Sequence, residues 1–402
     1  MKHKLLKMNS RGVSHVIALM LIIVGAGIVG SYLLVASHAS TTPPIAYYKV
    51  TNTSPLTETA ATYDLATAQS TNLQNVSSGS LTPAMYSPDH AYLAWGRTVY
   101  VNGQSQTTVY VKNVSAGTKT AIQLPAGQYF DNFAPYIQWY PGSKKLAFVT
   151  TAYINNAYQS YLHTVGVGGS GLTTVGLVNA SRISSLAVSG DAKSLVFADQ
   201  YSSTSGDRGV YSIVPGSSPV AIKTADGCGM VRALRDGSND VVYSCAIPGG
   251  VGIYRSTPGS SNATLVHSYP QDYTLNGVSY VINDMTPSPD GKTLAVLDHK
   301  YTDVDPSNCQ LTVQLQISTM PIVQNGTLAS LHNGAVSQPG GGCKGGGGGD
   351  SSLLQWSPDS SSLAFLKDQA FNQPAGSSLV LLNISAKTTK QLLPAPVGAI
   401  SW

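Results

Sequence analysis

Three stretches of the 402-residue chain hold residue types whose spacing could support chemistry. Gly166-Val167-Gly168-Gly169-Ser170-Gly171 matches the dinucleotide fingerprint G-x-G-x-x-G, and Asp191 follows about where the acidic ribose ligand belongs. That fingerprint works only where a helix opens at the glycines and aims its N-terminus at the pyrophosphate. Here Leu172-Thr173-Thr174-Val175 follows, a strand-forming run, so the glycines read as a hairpin loop. Asp303-Val304-Asp305-Pro306-Ser307-Asn308 alternates oxygen ligands as a calcium loop begins. Asn308 stands where such a loop needs Gly, and Gln314 where it needs a bidentate Glu, so these read as solvated loop acids. Neither a G-x-S-x-G elbow nor an H-E-x-x-H pair occurs, and the eight His are scattered singly. No catalytic residue, cofactor or metal is expected.

The third stretch involves the four cysteines, Cys228, Cys245, Cys309 and Cys343. A four-residue turn over Arg235–Ser238 pairs Leu234 with Asn239 and, counting outward, sets Cys228 opposite Cys245 on adjacent antiparallel strands. Cys309 and Cys343 are left either to pair with each other or to stay as two thiols. No Cys-x-x-Cys spacing supports zinc.

The elements that position these residues follow from composition and repeats. Charged residues make up 10% of the chain, against about 25% in ordinary domains. Forty Gly and 22 Pro demand frequent turns. Four of the 23 basic residues (Lys2, Lys4, Lys7 and Arg11) precede every acid, and the remaining 19 balance the 19 acids. A neutral body lacks the cationic stripe that phosphate backbones require, which excludes nucleic acid as a partner. Residues 16–36 are uncharged and, as a helix, span roughly 31 Å, the thickness of a bilayer core. Residues 1–15 thus read as a basic cytoplasmic tail, 16–36 as a signal anchor, 37–44 as a linker and 45–402 as an extracytoplasmic body. Cleavage after Ala39 would make the body a secreted one.

One pattern recurs through that body: an apolar strand often ending in Trp, a Ser-Pro-Asp-Gly turn, then Leu-Ala-Phe. The clearest copies are Trp356-Ser357-Pro358-Asp359 with Leu363-Ala364-Phe365, Ser288-Pro289-Asp290-Gly291 with Leu294-Ala295-Val296, and Ser87-Pro88-Asp89 with Leu93-Ala94-Trp95. Trp139-Tyr140-Pro141-Gly142 with Leu146-Ala147-Phe148 and Ser189-Gly190-Asp191 with Leu195-Val196-Phe197 are variants. The period is roughly 50 residues, the length of a four-stranded propeller blade. A double interval contains the degenerate copy Arg235-Asp236-Gly237 with Val241-Val242-Tyr243, and Gly340–Gly349 lengthens another. Ile45-Ala46-Tyr47 lacks its preceding strand, and Ala399-Ile400-Ser401-Trp402 supplies it. The expected fold is therefore all-β: a seven-bladed β-propeller closed by pairing the C-terminal strand with the N-terminal blade, preceded by one transmembrane helix.

The repeated motif resembles the WD40-like repeat of the TolB-like propellers over about residues 43–402. The chain departs from that family in having a membrane segment where the family has an N-terminal α/β domain, so the resemblance implies fold and no envelope-system role. The Ser-Pro-Asp acids read as turn devices. Second-to-third strand loops and blade-to-blade connections read as long and aromatic, with Tyr129, Phe130, Phe133, Tyr153, Tyr158, Tyr201, Tyr269, Tyr273, Tyr301 and Phe371 as a candidate binding face for a protein or glycan. The short linker suggests that the opposite, short-turn face looks toward the membrane. The leading functional reading is a membrane-anchored binding or scaffold module. The alternatives are a propeller enzyme acting on glycans, a lyase or glycosidase, and an envelope structural protein without ligand.

Overall fold

Seven antiparallel sheets, each of four principal strands, follow one another along the chain in a computed structural model. It describes residues 42–51, 57–130, 137–178, 183–199, 208–272, 274, 276–305, 310–335, 353–367 and 377–402. The apolar run 16–36, Cys309, Cys343, Phe133, Tyr201, Tyr273 and Phe371 lie outside these residues. No helix among the described residues is long and apolar enough to cross a membrane. Residues from Pro43 onward form one unit, a seven-bladed β-propeller.

The blades are numbered here in chain order. Each starts at an inner strand: Met85–Tyr86 in blade 2, Gln138–Trp139 in blade 3, Ile183–Val188 in blade 4, Gly229–Ala233 in blade 5, Val278–Pro287 in blade 6 and Leu354–Trp356 in blade 7. Blade 2 has a further short strand, Ser80–Leu81, on the same neighbour. Blade 1 takes its inner strand, Ala399–Ser401, from the far end of the chain. Tyr47 pairs with Ile400, flanked by Ala46 with Ser401 and Tyr48 with Ala399. The closure inferred from the motif register is thus present.

The Leu-Ala-Phe runs form the second strand of each blade. All three positions are buried in Ile45-Ala46-Tyr47, Leu93-Ala94-Trp95, Leu146-Ala147-Phe148, Leu195-Val196-Phe197, Val241-Val242-Tyr243, Leu294-Ala295-Val296 and Leu363-Ala364-Phe365. Neighbouring blades cover both faces of this strand, so its apolar run is continuous where a half-exposed strand would alternate. Outer strands show the opposite pattern: Gln69–Val76 is exposed over its first four residues. Tryptophans at the ends of inner strands tie blades together. Trp139 Nε1 donates to Met85 O of blade 2 (3.0 Å), and Trp356 Nε1 to Thr286 O of blade 6 (2.9 Å).

Blade 5, the degenerate copy, contains the Cys228–Cys245 disulfide. The expected four-residue turn is corrected. Leu234 N donates to Asp240 O, and Ala233 pairs with Val241, one residue out of step with the expected register. A bulge at Met230 and Val231 opposite Tyr243, with Met230 at φ 53°, removes the offset, and Gly229 pairs with Ser244 as expected. The extra N–H, that of Val231, donates to Ser185 Oγ of blade 4 at 2.7 Å. The bond closes a loop with a sequence separation of 17, which predicts a contribution of about 2–4 kcal/mol. The double substitution Cys228→Ala/Cys245→Ala should lower the denaturation free energy by that amount, and an unchanged urea midpoint would contradict it.

The second-to-third strand connections also differ from expectation. In blades 2, 3 and 5 they are two-residue turns, Asn102-Gly103, Asn155-Asn156 and Pro248-Gly249, where long loops were expected. Asn102 and Gly103 have φ 50° and 78°, and Asn155 and Asn156 have φ 51° and 62°. Positive φ at both central residues is the hairpin geometry that matches strand twist, and Asn and Gly tolerate it best.

Candidate functional site

One device recurs on the face of the first-to-second strand turns. A serine hydroxyl donates to the aspartate two residues on: Ser87 to Asp89 and Ser189 to Asp191 at 2.7 Å, Ser288 to Asp290 and Ser357 to Asp359 at 2.6 Å. The same serine oxygen accepts a backbone N–H five residues on, from Tyr92, Ser194, Thr293 and Ser362. Each carboxylate also accepts the backbone N–H two residues beyond it. The serine bond, reinforced by that N–H, holds Asp191, Asp290 and Asp359 below the ordinary carboxylate pKa. In blade 5, Ser238 donates to Asp236, while Arg255 joins Asp236 (3.0 Å) to Asp240 (2.6 Å). These acids are engaged in closing turns.

Within this ring of turns lies the mouth of the central channel, a cavity of about 220 Å³ lined by residues of all seven blades. Tyr86, Trp139, Trp356 and Trp402 form its aromatic wall. Burial pushes the Tyr86 hydroxyl up to about 12, so it stays neutral. Two guanidiniums reach the lining, and no acid does among the described residues. Arg232 pairs with Asp284 at 2.8 Å. Asp284 is 1% exposed and joins three blades: one oxygen takes Arg232 of blade 5 and the Met285 N–H of its own blade 6, and the other takes the N–H groups of Leu353 and Leu354 leading into blade 7. Arg235 is exposed and makes no hydrogen bond or ion pair among the described residues. It lies within electrostatic reach of His90 in blade 2; burial lowers the His90 pKa, Asp89 opposes this, and Arg235 adds to it. The mouth can therefore receive an anionic group against Arg235, with aromatic rings around it.

The structure separates the described members of the candidate aromatic face. Phe130 is buried against blade 2, where a Cβ added at Gly96 would fall 2.1 Å from its ring. Tyr269 is 2% exposed. Tyr129 and Tyr301 are half-buried: Tyr129 bridges to Thr151, and Tyr301 lies within the strand Thr293–Asp305. Tyr153 and Tyr158 are 58% and 41% exposed. They sit directly opposite one another at the tip of the hairpin formed by Lys145–Ile154 and Ala157–Gly166, with ring centroids 5.1 Å apart. The neighbouring tip, on blade 2, presents Tyr100 and Val101.

These two tips have a shared origin. The four strands that form them are ten residues long, whereas the corresponding strands of blade 4 have five. The extra length carries the hairpins past the core, and Tyr153, Ile154, Asn155 and Asn156 are all exposed. Of nine exposed large apolar side chains among the described residues, five (Tyr100, Val101, Tyr153, Ile154 and Tyr158) belong to these tips. Tyr100 was not among the expected face residues. Its signal was Asn102-Gly103, the strongest short hairpin marker, which puts Tyr100 at a tip.

The sequence matches no family model, and no curated protein matches it. Solved structures do resemble it. An oligogalacturonate lyase in complex with manganese is 14% identical with a TM-score of 0.55, over 82% of this chain and 85% of that one. A putative 6-phosphogluconolactonase from Bacteroides fragilis is 13% identical with a TM-score of 0.53, over 90% and 98%. TolB from Acinetobacter baumannii is 14% identical with a TM-score of 0.46, over 90% and 67%. The likeness is one of fold. Propellers of this architecture carry unrelated activities, so function has to be argued from the surfaces of this chain.

Proposed function

We propose that the protein is an extracytoplasmic binding module, held at the membrane by its N-terminal apolar segment, that engages a protein or glycan through the hairpin tips of blades 2 and 3. The observation that carries this reading is the concentration of exposed apolar side chains, including Tyr100, Tyr153 and Tyr158, on two neighbouring tips. Exposed apolar side chains concentrated on neighbouring blades of a protein this poor in charge mark a contact site. Tyrosine supplies a large, stiff contact area with a polar end, the property that enriches it at recognition surfaces. The Cys228–Cys245 disulfide favours a non-cytoplasmic location, and the basic residues before the apolar run favour a cytoplasmic N-terminus.

Photo-crosslinking in intact cells tests the proposal. A benzophenone amino acid replacing Tyr100 or Tyr153 should give a discrete adduct. The same probe at Ser115 or Ser385, in short turns of the opposite face, should not. A central aromatic contact is worth about 2 kcal/mol, so Tyr153→Ser/Tyr158→Ser should reduce the adduct from position 100 at least about tenfold. Equal adducts from both faces, or none from the tips, would defeat this reading.

A further inference from the structure

A second concave site lies between blades 5 and 6. It is a cleft of about 260 Å³, walled on one side by the outer strand Ala263–Pro270 of blade 5 and on the other by all four strands of blade 6. That volume is several times the ~30 Å³ share of one water and near the lower end of ligand sites, at about 300 Å³. Register explains what lines it. Asp298 and Gln316 are direct cross-strand partners, Ser318 lies two residues along from Gln316, and Tyr280 stands on the adjacent inner strand beside Asp298's partner Ile282. Blade 5 contributes His267 and Tyr269, with Tyr269 in ring contact with both His267 and Tyr280.

Five polar groups of this cleft are unengaged, whereas Ser330 Oγ donates to Asn333 Oδ1 (3.4 Å). Asp298 is 1% exposed, yet its carboxyl accepts no hydrogen bond, and the buried Tyr269 hydroxyl has no partner either. The Tyr280 hydroxyl, the Gln316 amide and the Ser318 hydroxyl make no hydrogen bond among the described residues. His267 Nδ1 donates to the Gly326 carbonyl (3.1 Å), which leaves Nε2 as an acceptor toward the cleft. Buried polar groups are almost always satisfied, so two buried orphans, the Asp298 carboxyl and the Tyr269 hydroxyl, beside three further unengaged groups call for a specific occupant. The cleft wall offers one carboxyl, three hydroxyls and one amide beside two tyrosine rings packed against each other.

We propose that this cleft binds one neutral, polyhydroxylated sugar ring, with Asp298 accepting from its hydroxyls and Tyr280 covering its apolar face. The proposal does not depend on the hairpin-tip reading and concerns a different part of the surface. A single carboxylate and a single imidazole are too few to hold a metal ion. An organic cation fits less well than a sugar, because Lys300 lies two residues from Asp298 on the same strand face and already supplies positive charge there. Burial pushes the Asp298 carboxyl up to about 7 against the pull of Lys300, so near neutrality it can donate as well as accept, as a sugar hydroxyl also can.

Saturation-transfer NMR on the full-length protein tests this, with glucose, galactose, mannose and N-acetylglucosamine as sugar probes and n-butylamine as the cation probe. At least one sugar should bind with a millimolar Kd. Asp298→Asn and, separately, Tyr280→Ala should each weaken it about tenfold or more, the scale of losing one well-made contact in a small site. Val214→Ser, at an exposed position of blade 4 outside both the cleft and the hairpin tips, should leave it unchanged. No transfer to any sugar at about 50 mM, or transfer insensitive to both cleft variants, overturns the proposal. Sugar binding lost only in the Tyr153→Ser/Tyr158→Ser variant assigns the sugar to the hairpin tips and overturns the cleft. Binding of n-butylamine alone, abolished by Asp298→Asn, overturns it in favour of a cation.

Discussion

Removal of Ala399–Trp402 is expected to unfold the propeller. Ile400 is completely buried in the cluster shared by blades 1, 6 and 7, and Ala399 and Ser401 beside it are buried as well. Ser401 Oγ accepts the Tyr86 N–H of blade 2, and Trp402 Nε1 donates to Pro43 O. The deletion removes three cross-strand pairs, leaves an open edge on Ile45–Thr51 and exposes the inner face of blade 1. Burial of Ile400 alone is worth about 1.5–3 kcal/mol. With the lost ladder and the two lost hydrogen bonds, the total reaches roughly 5 kcal/mol, comparable to the whole stability of many domains. The truncated protein should melt far below the intact one and scatter light as it aggregates. An unchanged Tm would defeat ring closure.

Asp284→Ala should have the next largest effect. It removes the Asp284 carboxylate from the Arg232 guanidinium, only 18% exposed, and strips acceptors from the N–H groups of Met285, Leu353 and Leu354. Breaking a buried pair from one side costs about 3–5 kcal/mol, because the remaining charge loses a partner that offset its desolvation. The double variant Asp284→Ala/Arg232→Met removes that charge and should recover part of the loss. Urea denaturation of the two variants measures both quantities. A cost below about 1 kcal/mol for Asp284→Ala would show that this carboxylate does not hold blades 5, 6 and 7 together.

The blade architecture was legible because its signals are local. Each Ser-Pro-Asp turn closes on itself through bonds spanning two and five residues, so the motif recurs in sequence wherever the turn recurs in space. The disulfide was legible for a less secure reason. The turn of blade 5 is longer than assumed, and the bulge at Met230 cancels the error before it reaches Cys228. The connections of blades 2 and 3 were misjudged although Asn102-Gly103 and Asn155-Asn156 are hairpin residues. Repeat spacing alone does not distinguish a long loop from long strands with a short turn. Asp284 and Asp298 could not be read at all. Asp284 meets Arg232 across 52 positions and the Leu353 N–H across 69, separations set by the ring. Asp298 continues the apolar run of Leu294, Ala295, Val296 and Leu297, and nothing in its neighbours reveals that a cleft opens beside it.

Closure of blade 1 also governs the order in which the molecule can be completed. Contacts such as Trp402 with Pro43 span 359 positions, so the earliest-synthesised blade is the last to be finished. Until Ala399–Ser401 arrives, Ile45–Thr51 offers an unpaired edge to any other chain it meets. High contact order makes such folding slow, and the waiting species are prone to aggregate. A chain emerging N-terminus first would need its early blades shielded until the end is delivered. Products cut short anywhere in the last blade would remain substrates for proteolysis.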